Sequence, residues 1–575
     1  MRLPHVMTNA RHRLADAVRY GLAVLVAGTL AAGVSACTAD DDPGPAPGPG
    51  SCPGPLGAAL EAWGRAGFSG AVAVSTAGRF DCLAGYGSAN DTTGARNTAD
   101  TVYSIGSVTK MFTAASILKL ADERKLSLDD RIGTLVPAVT GPVSGATVRH
   151  LLLHTSGIGG SVGPDDRPLS RDEAIAAINK LALAFAPGTD DAYSNAGYTL
   201  LAIVVEAVSG QSYRDYTVST TLALPGGRVG GFWDGLPAAA GPRALGYLDD
   251  GKPGPTGERP GPHWAVDGNG SLAMTPREVA TWTRALITGG LLSPESTRSV
   301  AAGAYDVGEG RSHTVGGMVA FDAAVYGKPF VGIAGGGGDV GHNVAAVWIP
   351  GRDQVVVVAS NRPLLTAEKL LSATISALVT GAALPTPSAP AGNADLGRAV
   401  GTYRLDSGGT LQVSAPDNRL TVTPGGVDAV GALFPPGRRF SVDGFRAHEG
   451  RVQALLAGQS KEGREERAAL ERQYGKISDV SLAGTVVADS EMRTYVTVAF
   501  GARTVLGWYA LNDHGNIEAA ELPTTPPALV LVPVGGDRYR PDDPTGTGPD
   551  VTIGFGTDQL SITTPAGQLI ARRTG

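Results

Sequence analysis

Two residues at helical spacing, Ser107 and Lys110, carry the functional groups of a nucleophile and an activating base. On a helix, side chains three positions apart lie on adjacent turns of one face. A serine hydroxyl is a weak nucleophile at neutral pH, whereas an amine held in a dry pocket loses its proton more readily and acts as a base. The pair therefore supplies a nucleophile and its activator from a single helical turn.

The same spacing recurs at Ser116 and Lys119, so the motif is not specific by itself. Position along the predicted helix separates the two pairs. Ser107 follows Gly106 and opens a periodic apolar run, which places it at a helix N-terminus, where free N–H groups favour developing negative charge. Ser116 lies roughly 180° farther around the same helix, and we interpret it as a small helical residue.

A second polar group, Tyr193 with Asn195, follows the turn residues Pro187 and Gly188 and precedes an apolar run. A tyrosine relays protons, and an asparagine amide hydrogen-bonds both a lysine and a substrate amide. Tyr-x-Asn is also common in surface turns, which is the alternative interpretation. Its place before a buried helix favours the catalytic hypothesis.

The elements that must position these groups follow the order strand, helices, strands. Capping boxes at 170–173 and 275–278 predict two helix starts. An apolar run that ends at Gly210 predicts a buried helix. This order predicts an α+β domain in which the helices group beside an antiparallel sheet. The clearest strands are predicted at 70–75, 344–349 and 354–359.

Pro- and Gly-rich stretches at 37–55 and 383–394 predict linkers. Between them, residues 56–382 are predicted to form the α+β domain. Beyond the second linker, residues 395–575 alternate apolar and polar positions with frequent turn signals, which predicts one or two antiparallel β modules. A charged helical segment at 464–473 interrupts them.

Residues 1–36 have the pattern of a signal peptide. Arginines precede an apolar stretch at 21–33 that is too short to span a bilayer. The small residues before Cys37 resemble the processing site of bacterial lipoproteins, in which the cysteine is lipidated. We expect a secreted protein anchored through Cys37 to the outer face of the cell membrane; the alternative is plain secretion.

The remaining cysteines, Cys52 and Cys82, can pair in an oxidising compartment; the alternative is two free thiols. Three cysteines without a His/Cys cluster predict no metal site, and no motif calls for a cofactor. The net charge is −7, without a basic stripe, which argues against nucleic-acid binding.

The chain resembles the serine β-lactamase and penicillin-binding-protein superfamily on its class C β-lactamase-like branch. That branch includes D-alanyl-D-alanine carboxypeptidases, D-aminopeptidases and esterases. The resemblance covers roughly residues 56–380 and is specific as a set of motifs in the family order. These motifs are Tyr103 to Phe112, Lys125 to Asp130, Leu151 to Gly157, Pro187 to Thr189 with Tyr193 to Tyr198, and Gly270 to Thr275.

The resemblance implies a role for each polar residue. Ser107 would be acylated by the substrate carbonyl, while Lys110 and Tyr193 would share the transfer of its proton to the leaving group. Asn195 would orient Lys110 and the substrate, and His154 would pack the loop without acting as a base. The implied fold is a helical cluster beside an antiparallel sheet, with the cleft between them.

The third family motif, Lys-Thr-Gly or His-x-Gly on a strand that lines the cleft, is where this chain departs. Counting back from Gly341 places the motif at Gly335, Gly336 and Gly337. We expect these glycines to contact the substrate, with glycine in place of the cation.

The backbone N–H groups of Ser107 and Gly338 would still form the oxyanion hole. The missing side chain would neutralise a substrate carboxylate and tune the catalytic amine and phenol. Its loss can slow a reaction by roughly two orders of magnitude. His342 is one candidate substitute, and His313 stands in a similar motif too early in the order.

The leading hypothesis is a cell-envelope serine hydrolase that acts through an acyl-enzyme on a small-molecule or peptide substrate: a peptide, amide, ester or β-lactam. The missing cation lowers the expectation of carboxypeptidase or β-lactamase activity. The alternative is a catalytically impaired, penicillin-binding-like lipoprotein that binds cell-wall fragments or a partner. A third hypothesis assigns the function to the C-terminal β region.

Overall fold

The computed structural model describes residues 52–248, 251–257, 261–308, 310–337, 340–387, 396–416, 419–436, 440–488, 491–511, 515, 517–543 and 548–574. They form two compact units, one that ends at Thr386 and one that begins at Pro387. The predicted signal peptide and Cys37 lie outside the described residues. In the described part of the chain, no helix has the length and apolar character needed to cross a bilayer.

An antiparallel sheet of eight strands forms one layer of the first unit, in the order β10-β11-β12-β13-β14-β15-β1-β2. Short ribbons and a three-stranded sheet, β5-β9-β8, complete its β structure. The strands are β1 (Gly70–Thr76), β2 (Arg79–Tyr86), β3 (Ser88–Asn90), β4 (Ala95–Arg96), β5 (Tyr103–Ser104), β6 (Ala223–Leu224), β7 (Gly227–Arg228), β8 (Gly231–Phe232), β9 (Leu272–Met274), β10 (Tyr305–Gly308), β11 (Arg311–His313), β12 (Val319–Phe321), β13 (Phe330–Gly337), β14 (His342–Ile349) and β15 (Gln354–Ser360).

Helices account for most of the remaining first unit, and their apolar faces share one core with the sheet. The helices are α1 (Gly54–Arg65), α2 (Thr109–Asp122), α3 (Ile132–Leu135), α4 (Val148–Leu152), α5 (Arg171–Ile178), α6 (Asn195–Ser209), α7 (Tyr213–Tyr216), α8 (Pro276–Thr288), α9 (Pro294–Ser299), α10 (Ala323–Tyr326) and α11 (Ala367–Thr380).

The local signals in the sequence act as expected. Ser170 and Thr275 each cap a helix reciprocally with a glutamate three residues later, which satisfies N–H groups at the starts of α5 and α8. Helix α6 is buried over most of its length and ends at Gly210, whose φ of 72° is the left-handed conformation that glycine adopts without strain. The predicted α+β architecture is confirmed.

Helix α2 lies at the centre of the first unit. It follows a single 3-10 turn, Gly106–Val108, and is buried on almost every face. Phe112 stacks on Trp282 of α8 with ring centroids 3.7 Å apart. A helix packed on all sides offers a rigid base for the residues at its start.

Strand β13 makes a backbone-to-backbone contact with that 3-10 turn. A Cβ atom added at Gly335 would lie 2.6 Å from the Val108 nitrogen and 2.8 Å from the Ser107 Cα. Gly106, whose φ is 47°, faces the contact from the turn; a Cβ there would lie 2.7 Å from the Gly336 Cα. The two backbones can approach this closely only because glycine stands at each point of contact.

The second unit contains a closed barrel of eight antiparallel strands, β16-β17-β18-β23-β24-β25-β26-β27, and a four-stranded sheet, β19-β20-β21-β22, that is inserted between β18 and β23. The strands are β16 (Gly401–Leu405), β17 (Thr410–Ser414), β18 (Leu420–Gly425), β19 (Asp479–Ala488), β20 (Glu491–Phe500), β21 (Arg503–Leu511), β22 (Ile517–Glu521), β23 (Leu529–Gly535), β24 (Arg538–Pro541), β25 (Thr552–Phe555), β26 (Gln559–Thr564) and β27 (Gly567–Arg573).

Three helices accompany the inserted sheet: α12 (Val427–Leu433), α13 (Val442–Leu456) and α14 (Lys461–Tyr474). The prediction of antiparallel β modules with a charged helix near 464–473 is confirmed, but α12 and α13 were not predicted. Helix α13 contains Gly444 and Gly450, which weaken the helical signal. The buried His448 fixes this helix to the sheet, through Thr494 at 2.7 Å and the Leu511 N–H at 3.0 Å.

His342, at the start of β14, is part of the buried structure. Its Nδ1 accepts a hydrogen bond from the Ser104 N–H at 3.1 Å. Its ring packs edge-on against Tyr103 and Trp233. Burial lowers the pKa of His342 from 6.5 to about 3, so the residue is neutral and cannot replace the missing cation.

We expect Gly335→Ala to lower the stability of the first unit. The new methyl group meets backbone atoms that cannot rotate away, and overpacking of this kind costs about 1–3 kcal/mol. Thermal unfolding measures the effect as a decrease in Tm. The matched control is Gly351→Ala, where a Cβ meets nothing within 4 Å; equal Tm values for the two variants would contradict the contact.

His342 also predicts acid sensitivity. The unfolded chain binds a proton near the ordinary pKa of 6.5, whereas the folded chain binds it only near 3. The stability that neutral His342 contributes is therefore complete above about pH 6.5 and is lost as the pH falls, by up to about 1.4 kcal/mol per pH unit.

His342→Asn keeps an acceptor for the Ser104 N–H but does not titrate. Between about pH 6.5 and about pH 5, where carboxylates contribute little, we expect the variant to lose less Tm than the wild type. Parallel Tm profiles across this window would show that His342 is not the group responsible.

Candidate active site

Side chains from two distant segments, one with Ser107 and Lys110 and one with Tyr193, meet at the start of α2. The Tyr193 hydroxyl donates a hydrogen bond to the Ser107 Oγ at 2.6 Å, and the Lys110 Nζ donates to the same oxygen at 2.9 Å. Ser107 and Lys110 are 7% and 1% exposed. The serine oxygen thus contacts two groups that, once deprotonated, could accept its proton.

Lys110 is held by two further oxygens. Its ammonium group donates to the Asn195 Oδ1 at 2.8 Å and to the Asn269 carbonyl at 3.2 Å. The amide of Asn269 is itself bound to Thr199 and to the carbonyl of Ala265. Lys110 therefore has a fixed position rather than the mobility of a surface lysine.

Asn195 begins α6, directly after the N-cap Ser194. Its Nδ2 donates to the Ser161 Oγ at 3.2 Å, which leaves its Oδ1 directed at Lys110. Neither Ser161 nor Asn269 was singled out from the sequence. Asn269 directly precedes the Gly270–Thr275 family segment and was within reach of that argument, whereas nothing marked Ser161.

The 3-10 turn Gly106–Val108, which contains Ser107 and is called the nucleophile turn below, is fixed from both sides. Before it, β5 pairs with β9, and the Ile105 N–H donates to the Leu272 carbonyl at 3.0 Å. After it, the Thr109 Oγ1 accepts the Leu272 N–H at 3.1 Å. Ser107 lies in the 3-10 turn that leads into α2, and its N–H is near the helix N-terminus.

The predicted third motif lies on the described end of β13. Gly335 and Gly336 lie against the backbone around Ser107, and Gly337 pairs with His342. There is no space for a lysine or histidine side chain at Gly335. Gly338, the predicted second donor of the oxyanion hole, lies outside the described residues.

His154 packs against Tyr193 in this arrangement. Its ring stacks on the ring of Tyr193 with centroids 4.7 Å apart, and its Nδ1 accepts the Ser194 N–H at 3.1 Å. The His154 ring therefore supports the Tyr193 ring by packing, which is the role that the resemblance implied.

His313 was set aside in the sequence, and the structure places it close to the site. Its Nε2 lies 3.2 Å from the Asp191 Oδ2, two residues before Tyr193. Its ring centroid is 5.3 Å from that of His154. It reaches the site from β11, not from the strand of the third motif.

The other candidates are structural. The Ser116 hydroxyl is buried and bonds to Thr221 and to the Phe112 carbonyl. Cys52 and Cys82 form a disulfide. Within the described ranges, no cluster of three His, Cys, Asp or Glu side chains could hold a metal ion.

This geometry suits acyl transfer. A nucleophilic oxygen, two proton acceptors and an orienting amide converge beside a helix N-terminus, where backbone N–H groups stabilise an oxyanion.

Comparison with known proteins agrees with this fold. The chain is 29% identical over 230 residues to the putative penicillin-binding protein PbpX of Bacillus subtilis, which covers 40% of this chain and 58% of the relative. It is 33% identical over 130 residues to the protein flp of Staphylococcus aureus, 21% of this chain and 26% of the relative. The chain thus spans less than two thirds of the length of these curated relatives.

Among solved structures, the octameric penicillin-binding protein homologue from Pyrococcus abyssi aligns over 89% of this chain and 98% of its own, with a TM-score of 0.50 at 19% identity. At this identity the likeness concerns the fold. The sequence profile of the beta-lactamase family matches residues 58–379, which include every residue of the site described above. The chain belongs to the beta-lactamase family.

Proposed function

We propose that this family member is a serine hydrolase that forms an acyl-enzyme at Ser107. The observation that supports the proposal most is the pair of hydrogen bonds to the Ser107 Oγ, from Tyr193 at 2.6 Å and from Lys110 at 2.9 Å. A serine with two positioned proton acceptors is the arrangement that nucleophilic catalysis requires.

The reaction follows from the contacts. Lys110 and Tyr193 act as a pair, and the unprotonated member of the pair takes the Ser107 proton as the Oγ bonds to the substrate carbonyl carbon. The Ser107 N–H binds the oxyanion in this proposal, and Gly338 stays the predicted second donor. The Lys110–Tyr193 pair, which acts as a proton relay, gives the proton to the leaving group as the bond between the leaving group and the carbonyl carbon breaks. A water molecule, deprotonated by the same relay, then releases the acid and restores the serine.

The substrate proposal rests on the contact at Gly335. The strand meets the nucleophile turn without room for a side chain, so no lysine or histidine at this position can bind a carboxylate. Neutral esters and amides, including amino-terminal peptide amides, are therefore the proposed substrates, in preference to peptides or β-lactams that bind through a carboxylate.

A second function, binding without turnover, is favoured by the same glycine. In this alternative, the missing cation makes acylation of Ser107 slow, and the protein holds wall fragments without hydrolysing them. Stabilisation of the protein by muropeptides in a thermal-shift assay, together with an unlabelled Ser107, would favour this function over hydrolysis.

We further propose that the protein acts outside the cytoplasm, with Cys37 lipidated at the cell membrane. The apolar stretch at 21–33, the small residues before Cys37 and the downstream Pro/Gly-rich spacer support this location. The disulfide between Cys52 and Cys82 is consistent with an oxidising compartment.

Covalent labelling tests the hydrolase proposal. We expect the wild type to gain one probe mass with a fluorophosphonate, and Ser107→Ala to gain none, by intact-protein mass spectrometry. Tyr193→Phe should label about 100-fold more slowly, because it removes one proton acceptor. The control is Ser116→Ala, which removes the buried serine of the second Ser-x-x-Lys sequence and should label like the wild type. A wild type that no acylating probe modifies would contradict the proposal.

A matched pair of aryl esters that differ by one carboxylate on the acyl group tests the substrate class. We expect kcat/KM to be about tenfold or more higher for the neutral ester, because a buried carboxylate without a cationic partner is unfavourable. A preference for the charged ester would show that another cation binds the carboxylate and would overturn this part of the proposal.

A further inference from the structure

The segment that carries Tyr193 has no regular secondary structure at 191–193. Its position is therefore set by individual contacts. The Ala192 N–H donates to the His154 carbonyl at 2.9 Å, and the Ser194 N–H donates to the His154 Nδ1 at 3.1 Å. The backbone on both sides of Tyr193 is thus hydrogen-bonded to one residue, His154.

His154 adopts an unusual conformation to make these contacts. Its φ is 59°, in the left-handed region that side-chain-bearing residues rarely adopt. Such a conformation persists only when the surrounding structure holds it. One face of the His154 ring is covered by Tyr193, at 4.7 Å between centroids. Close by is the ring of His313, at 5.3 Å.

His313 links this packing back to the same segment. Its Nε2 donates to the Asp191 carboxylate at 3.2 Å, with side chains that are 10% and 16% exposed. Asp191 lies two residues before Tyr193, so this hydrogen bond ties the beginning of the segment to β11. Tyr193 is consequently held at two points, through the stacked His154 ring and through Asp191.

We infer that His313 and Asp191 form a pair of positioning residues that place the Tyr193 hydroxyl on Ser107. The inference rests on the proposed function and assigns a role to a histidine that comes from outside the family motifs. In this assignment both side chains act through the segment that carries Tyr193, by their mutual hydrogen bond.

The expected effect follows from the sensitivity of proton transfer to geometry. The Tyr193 hydroxyl lies 2.6 Å from the Ser107 Oγ, and a displacement of about 1 Å at a catalytic group can reduce a rate about 100-fold. Loss of the pair frees the beginning of the segment, so the maximal rate of acylation should decrease while probe binding is retained.

The test is the rate of Ser107 labelling by a fluorophosphonate, resolved into kinact and KI, on full-length wild type and variants at a temperature well below each Tm. We expect His313→Ala and Asp191→Ala each to lower kinact about tenfold or more with KI unchanged. The double variant should be no slower than either single variant, because both changes break one contact.

Rescue separates positioning from general destabilisation. His313→Gln retains a donor for Asp191 and should recover most of kinact, whereas His313→Leu retains volume without a donor and should not. The control is Ser312→Ala, the neighbour on β11 whose side chain projects to the opposite face; it should match the wild type.

The outcomes are distinct. Three results would overturn the inference: equal kinact for His313→Gln and His313→Leu, additive effects in the double variant, or single variants within about twofold of the wild type. In each case a labelled wild type still supports the proposed hydrolase. If the alanine variants do not fold, the comparison of glutamine with leucine decides. A wild type that is not labelled contradicts the proposed function, and the inference falls with it.

Discussion

The contact between the backbones of β13 and the nucleophile turn is the constraint on which the rest of the site depends. Gly106 on one side and Gly335 on the other allow an approach that any Cβ atom would prevent. This approach fixes the turn against the large sheet, while α2 fixes it against the helices. The Ser107 hydroxyl therefore projects from a point that is immobilised from two layers of the domain, which is the rigidity that a catalytic nucleophile needs.

The same contact also determines which charged side chains can lie near Ser107. A strand that lies this close to the serine cannot also present a long cationic side chain from Gly335. His342 cannot compensate, because burial keeps its imidazole neutral. The amine that contacts the serine is that of Lys110, and its surroundings of amide, carbonyl and hydroxyl oxygens hold it in place. The chemistry of the cleft thus depends on how well Lys110 and Tyr193 are positioned.

How far the sequence predicts such a site depends on how local its signals are. Ser107 and Lys110 share one helical turn, and Tyr193 and Asn195 share one helix start, so spacing and capping identify each pair; the resemblance joins them. The α+β order is likewise written in strand runs and capping boxes. Asn269, by contrast, contributes a backbone carbonyl to Lys110. Every residue type carries this group, so the sequence does not indicate the contact. His313 and Asp191 are 122 residues apart, and only the tertiary fold brings them together. The backbone contact between Gly106 and Gly335 leaves only one sign in the sequence, which is that glycine replaces the lysine or histidine of the third family motif.

Regular structure does not reach every part of the site, and this explains where the remote contacts are found. Ser107, Lys110 and Asn195 belong to a helical turn or a helix, whose backbone hydrogen bonds add to the side-chain contacts that hold these residues. Tyr193 alone comes from an irregular segment, and it is around this segment that the strained His154, its stacked ring contacts and the Asp191–His313 pair gather. Local strain of this kind is stable only where neighbouring contacts compensate for it. Because the phenol must stay within hydrogen-bonding distance of the serine, the side chains that secure the irregular segment are as necessary to the geometry as the helix that secures the amine.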